Sequence, residues 1–225
     1  MQNRTSCCTL LLALIAGLAI VDRAQAFRSG PPTGVNGSTA SGGTTCTACH
    51  LSGAGSGMVE ILGAPSNCAF STTYNLTVRV SDPVQAGAGF QLSAEDAGGA
   101  HVGTLVITDA TNTQLNTADW VNHTSTGVSN AVAGWAGMGN AAEFNVDWIS
   151  PASDVGPVTF WAAGNAINDN FSSSGDLVYV TSTTANAQEP VPATSTWGLI
   201  VLTLVMLVAA STLLGRRMKP VRVAA

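Results

Sequence analysis

The sequence predicts an all-β protein: an immunoglobulin-like antiparallel β-sandwich, preceded by an irregular cysteine-bearing segment and followed by one C-terminal transmembrane helix. Three observations carry this reading. Short apolar stretches alternate with polar residues and are broken by Gly, Asn, Asp and Pro; helical periodicity is missing between them; and the two long apolar runs lie at the two ends of the chain. The 225 residues are 46% hydrophobic and 9% charged, which argues against a charge-rich disordered chain and a basic nucleic-acid binder.

Residues 1–26 read as a secretory signal peptide. Arg4 precedes the apolar run of residues 10–20, and Ala24-Gln25-Ala26 suits the cleavage site, so Phe27 is the expected mature start. Cys7 and Cys8 precede the run and leave with it. Residues 27–57 form a Gly/Pro-rich lead-in that carries a cysteine motif, and its composition predicts extended, irregular chain.

The sandwich is expected over residues 58–187. Tyr74, Leu76, Val78 and Val80 alternate with Asn75, Thr77 and Arg79, the period of two of a strand with one buried face. Phe90, Leu92 and Ala94 repeat the pattern, as do Phe144, Val146 and Trp148. Residues 58–62, 101–107, 158–162 and 177–181 are further strand candidates, which makes about seven, the number expected of an immunoglobulin-like sandwich. From Thr181 to Thr196 the Thr, Ala, Asn and Pro content reads as a stalk, the domain boundary falling at 188–196. Residues 197–214 read as a single transmembrane helix at the lower length limit. The tail, 215–225, holds Arg216, Arg217, Lys219 and Arg222, and the positive-inside rule places it in the cytoplasm. The rest of the mature chain is then exported, in the periplasm or at the cell surface.

The exported part, residues 27–195, contains twelve acidic residues and two basic ones, Arg28 and Arg79. Such a surface disfavours polyanions. It keeps the domain soluble and would attract a cationic partner.

Cys46-Thr47-Ala48-Cys49-His50 is the strongest chemical signal. The spacing is that of covalent haem c attachment, in which both thiols form thioethers and the adjacent imidazole becomes the proximal axial ligand. Export agrees with this, because bacterial haem attachment takes place outside the cytoplasmic membrane. Other chemistries share the residues: a redox disulfide, which expects a βαβ context; a Cys3His zinc site with Cys68; or a structural disulfide from Cys46 or Cys49 to Cys68. With haem attached, Cys68 is the odd thiol, a small buried hydrophobe or a partner for another chain. Candidates for the sixth iron position are His123, Met138, Met58 and His101, or the position stays open. Met138 sits in Gly137-Met138-Gly139, a flexible loop able to reach out, whereas Met58 starts a strand. The Asn and Asp residues of 165–176 read as a turn-rich hairpin connection rather than a calcium loop.

The mature chain resembles the bacterial Reeler-like secreted proteins called choice-of-anchor V. The matching stretches are residues 27–34 (Phe-Arg-Ser-Gly-Pro-Pro-Thr-Gly), 45–50, 89–92 (Gly-Phe-Gln-Leu), His123-Thr124, 148–151 (Trp-Ile-Ser-Pro), 156–160 (Gly-Pro-Val-Thr-Phe), Ala163-Gly164-Asn165 and 175–179 (Gly-Asp-Leu-Val-Tyr). The resemblance implies a reelin-domain-like sandwich, and its His-Thr pair puts His123 first among the distal ligands. The C-terminus is similar to an exosortase-type sorting signal, carried by Val191, Pro192, Ser195, Trp197 and Gly198 before the apolar run, with departures at Ala193 and Thr194.

The expected function is a membrane-tethered mono-haem c-type protein that transfers electrons at the outer face of the membrane and is not an enzyme. Its expected partners are a cationic redox protein, the covalent haem-attachment machinery and an exosortase-type processing enzyme. The alternative is a surface-displayed adhesion sandwich with a structural cysteine motif. A third is a haem peroxidase, which needs an open sixth site and a distal acid/base group.

Overall fold

Residues 27–50, 55–187 and 196–217 are described in the computed structural model. The expected signal peptide, the basic residues Lys219 and Arg222, and Val191, Pro192 and Ser195 of the sorting motif lie outside the described residues. The chain divides into two units, the first ending at Gln188.

Alternation places the strands of the first unit. In chain order they are β1 (Met58–Leu62), β2 (Asn67–Cys68), β3 (Thr73–Ser81), β4 (Gly87–Glu95), β5 (Thr104–Val106), β6 (Thr113–Thr117), β7 (Trp120–His123), β8 (Ala141–Ile149), β9 (Val158–Ile167) and β10 (Leu177–Ala187). One sheet has the order β1-β3-β8-β5 and the other β2-β10-β9-β4-β7-β6. All the pairings are antiparallel except the two-residue β10–β2 contact. The chain therefore forms a two-sheet β-sandwich. Leu76, Val78 and Val80 of β3 and Phe144, Val146 and Trp148 of β8 meet Phe90 and Leu92 of β4 and Phe160 of β9 in the core. Phe90 stacks on Phe144 at 4.5 Å, and Trp148 meets Phe160 edge-on at 4.8 Å. Gly164 allows the sheets to close up, since a Cβ there would lie 2.6 Å from Val80 Cγ2.

Several expectations are corrected. Among the described residues the strands number ten, because β2, β6 and β7 are too short or too polar to show a period. The strand expected over 101–107 shrinks to β5, and His101 makes an isolated bridge to Glu95 instead. The stalk begins later than Thr181, since β10 pairs with β9 up to Ala185 and with β2 through Ala187. A helix is also present, α1 (Ser125–Gly134), capped by the Thr124 side chain, which accepts from the Gly127 amide. Its buried face is Gly127, Val128 and Ala131, too small an apolar stripe to read as an amphipathic period. Met138 lies in a 3-10 turn, Ala136–Met138, rather than in a free loop.

The lead-in is more than a spacer. All nine residues of β4 are buried, because its two faces are covered by different layers. Phe90, Leu92 and Ala94 join the core, while Gln91, Ser93 and Glu95 face the lead-in. Gln91 Oε1 accepts from the Val35 amide (2.7 Å), and its Nε2 donates to the Pro32 carbonyl (2.8 Å) and to Asn122 Oδ1 (3.0 Å). Asn36 Nδ2 donates to Ser93 Oγ (2.8 Å) and the Trp161 carbonyl (3.1 Å). Glu95 accepts from the Ala40 amide and from Ser93 Oγ. The segment is thereby pinned across the outer face of the six-stranded sheet.

The second unit, described by itself, is α2 (Thr196–Arg217). It occupies the place of the helix expected over 197–214 and continues through Arg216 and Arg217, which the sequence assigns to the tail. Its described large side chains, from Leu199 to Val208, are exposed. Among the described residues no helix is long and apolar enough to cross a membrane; the side chains described here are those of 198–212. The hydroxyls of Thr203, Ser211 and Thr212 donate to the carbonyls of Leu199, Val208 and Ala209 in the same helix.

Gln91→Ala strands the Val35 amide, and the expected cost is about 1–3 kcal/mol in urea unfolding, with faster proteolysis of the lead-in. Asp82 gives a pH signature. Burial alone would raise its carboxyl, but bonds from the Tyr179 hydroxyl and from the Val84, Gln85 and Gly57 amides outweigh that and hold it below its ordinary value of 3.8. The unfolded chain then takes up this proton first. Its contribution to stability is complete above the ordinary value and is lost as pH falls through the lower folded value. Asp82→Asn should flatten that part of the acid limb in pH-dependent unfolding.

Candidate functional site

The cysteine motif folds as a single helical turn. Thr45 caps it, its side chain accepting from the Thr47 amide, and the Cys46 carbonyl accepts from the amides of Cys49 (3.1 Å) and His50 (2.9 Å). Positions three and four apart in such a turn share a face, so both thiols and the imidazole are presented to the same side. Cys46 packs with Val35, Ala163 and Val178 in a small cluster outside the main core. Burial pushes its thiol up to about 12, so the thiol stays protonated at neutral pH.

His50 is oriented by Asp176, from the turn before β10. Its Nδ1 lies 2.8 Å from Asp176 Oδ2, and Asp176 Oδ1 accepts from the Asn168 amide. A proton on Nδ1 donated to this carboxylate leaves a lone pair on Nε2, the arrangement that carboxylates impose on metal-binding imidazoles. Asn165 of β9 lies beside the ring, with Nδ2 3.2 Å from Nδ1 and 3.3 Å from Nε2. Its Oδ1 is buried with no hydrogen-bond partner among the described residues.

His123 closes β7 and is 7% exposed. Burial pushes its imidazole below the ordinary value, which favours the neutral, ligand-competent form. Its Nδ1 lies 2.9 Å from the Phe90 nitrogen and 3.2 Å from the Phe90 oxygen, and Nε2 lies 3.3 Å from the Phe27 carbonyl. The Phe90 amide hydrogen points at Nδ1, so Nδ1 accepts from it and Nε2–H donates to the Phe27 carbonyl. The other neutral form, with Nδ1–H turned to the Phe90 carbonyl, would set the Nε2 lone pair against the Phe27 oxygen.

Cys46, Cys49, His50 and His123 all line one open cavity of about 220 Å³. It lies between the lead-in and the outer face of the six-stranded sheet. Its apolar walls include Pro31, Pro32, Val35, Phe90, Val128 and Ile167, and Phe27, Arg28, Asp169 and Phe171 also border it. The other distal candidates are elsewhere. Met58 starts β1 and is half exposed, Met138 borders a different hollow beside α1, and His101 packs edge-on against Trp120 at 4.8 Å. Cys68 is in the main core on β2, apart from the Cys46 cluster. All three described thiols are free, and among the described residues no group of three or more His, Cys, Asp or Glu side chains is placed to hold a metal ion. Cys68 thus lies apart from Cys46, Cys49 and His50.

The donor set fits a haem c: two thiols and an imidazole on one turn, a second imidazole in the same apolar-walled space, and a carboxylate that fixes the first imidazole's tautomer. The sequence did not single out Asp176, Asn165, Gly89 or Arg28 as site residues. Gly89 is needed for clearance, since a Cβ there would come 2.5 Å from His123 Cε1. Gly89→Ala should leave the sandwich folded and displace the His123 ring. The expected readout is a changed His123 imidazole resonance with a stability loss of about 1–3 kcal/mol.

No family model matches the chain, and no curated protein matches it. Among solved structures, it is similar to two crystal structures of the human F-spondin reeler domain, at TM-scores of 0.43 and 0.42, with 19% identity in each. They cover 61% of this chain and 96% and 92% of theirs. It is also similar to BslA, a bacterial hydrophobin, at a TM-score of 0.30 and 15% identity, over 61% of this chain and 98% of that one. The assignment of a β-sandwich rests on the strand pairing itself.

Proposed function

We propose that this chain is an exported, membrane-tethered mono-haem c-type protein that carries electrons at the outer face of the membrane. The observation that supports it is the meeting of Cys46, Cys49, His50 and His123 in one apolar-walled cavity. The cofactor supplies a one-electron iron couple when bound. Cys46 and Cys49 would hold it through thioethers, and His50 would present Nε2 while its Nδ1–H donates to Asp176 Oδ2. His123 would be the second imidazole available to it, in the form with Nδ1–H toward the Phe90 carbonyl and with the Phe27 carbonyl withdrawn from Nε2. The apolar walls would limit the access of water to the bound group. Membership of the choice-of-anchor V group belongs to the same reading.

The tether in this reading is α2 together with the flanking basic residues. Apolar side chains around the helix suit lipid, and the hydroxyls of Thr203, Ser211 and Thr212 are bonded to the helix's own carbonyls. Val191, Pro192, Ser195, Trp197 and Gly198 are the residues an exosortase-type enzyme would read. The acidic exported surface suits a cationic redox partner.

The test is an absorbance spectrum, oxidised and reduced, of the full chain made in a host with haem-attachment machinery, with a haem stain on a denaturing gel. A covalent haem is expected, and Cys46→Ala/Cys49→Ala abolishes the stain. His123→Ala converts a six-coordinate ferric spectrum to a five-coordinate or water-ligated one, while His101→Ala leaves it unchanged. A folded, colourless chain overturns the reading in favour of an adhesion sandwich.

A further inference from the structure

The exported part of the chain has two basic side chains for twelve acidic ones, and one of the two stands at the cavity. Arg28 is the sole Arg or Lys among the described residues that line it, next to the acidic Asp169 and Asp176. An anionic group entering this space meets attraction at a single point.

Arg28 is also held in place. Its Nη1 lies 3.3 Å from Asp169 Oδ1, its Nη2 donates to Ser129 Oγ of α1 at 3.1 Å, and its guanidinium carbon lies 5.3 Å from the centre of the Phe171 ring. Asp169 and Phe171 both have left-handed backbone, φ 56° and 57°, which non-glycine residues seldom adopt. The β9–β10 turn is bent twice, and those two bends bring a carboxylate and a ring onto one guanidinium. The Asp169 contact uses one oxygen and exceeds the 2.7–2.9 Å typical of strong charge-assisted bonds, so the cation is positioned without being fully neutralised. The Arg28 side chain is 36% exposed, as befits a group at the mouth.

A haem is an apolar ring bearing two ionised carboxylates at one edge, and a planar guanidinium fork matches a carboxylate. We propose that Arg28 is the carboxylate-binding residue of this cavity, pairing with the propionates of the haem at its open mouth. The proposal rests on the haem reading above and adds the orientation of the ring: thioether edge toward Cys46 and Cys49, propionate edge toward Arg28.

The test uses the full chain without covalent haem, titrated with iron mesoporphyrin, whose ethyl groups cannot react with thiols, and with its dimethyl ester, whose carboxylates are masked. The unmodified chain should bind the free acid about tenfold more tightly than the ester. Arg28→Gln should remove that preference while leaving ester affinity unchanged, and Arg28→Lys should keep part of it; circular dichroism checks that each variant is folded. Equal affinity for acid and ester in the unmodified chain, or a preference that survives in Arg28→Gln, overturns the role of Arg28 alone. Failure of the folded chain to bind either porphyrin overturns the haem reading and this proposal together.

Discussion

A row of buried polar side chains on one strand governs the candidate site. Gln91, Ser93 and Glu95 of β4 point away from the core and find partners in the lead-in, in the row itself and, for Gln91, also in Asn122 of β7. Polar groups buried without partners are costly, so the sheet's outer face needs that segment as much as the segment needs the sheet. The cysteine motif and the cavity's proline wall belong to the lead-in, while Gly89, Asn165 and Ile167 belong to the sheet. Remove the polar row and the two halves of the cavity have no fixed relation.

This division separates the two tasks of the fold. The apolar core lies between the sheets and is complete with aromatic pairs such as Phe90–Phe144 and Trp148–Phe160. The cavity lies outside it, on the far face of one sheet, so the residues that line it are not the ones that hold the sandwich together. Phe90 is shared: its ring belongs to the core, while its backbone meets His123. Ligand chemistry can therefore change on the outer face with little cost to the core.

The sandwich was legible wherever one strand face is buried and the other wet, as in β3 and β8, because that produces a period of two. It was not legible in β4's outward row, where polar residues are buried and the alternation hides a third layer. Helix α1 was invisible because Gly127, Val128 and Ala131 make too slight an apolar stripe. At the site, Cys46, Cys49 and His50 announce themselves by spacing, and His123 was ranked first by resemblance alone. Asp176 and Asn165 sit in a stretch that reads as an ordinary polar turn. Their importance comes from strand pairing that brings the turn beside His50, which local sequence does not encode.

Cys46 is almost fully enclosed by Val35, Ala163 and Val178, and its thiol is far from ionised. On the haem reading this fixes an order of events. A thiol closed off in this way is a poor nucleophile for a bulky porphyrin, so attachment would have to precede the docking of the N-terminal segment on the sheet. Docking of that segment on the sheet would then shield the bond from solvent. The finished protein would be a late product of assembly, its cofactor installed before its last layer closed.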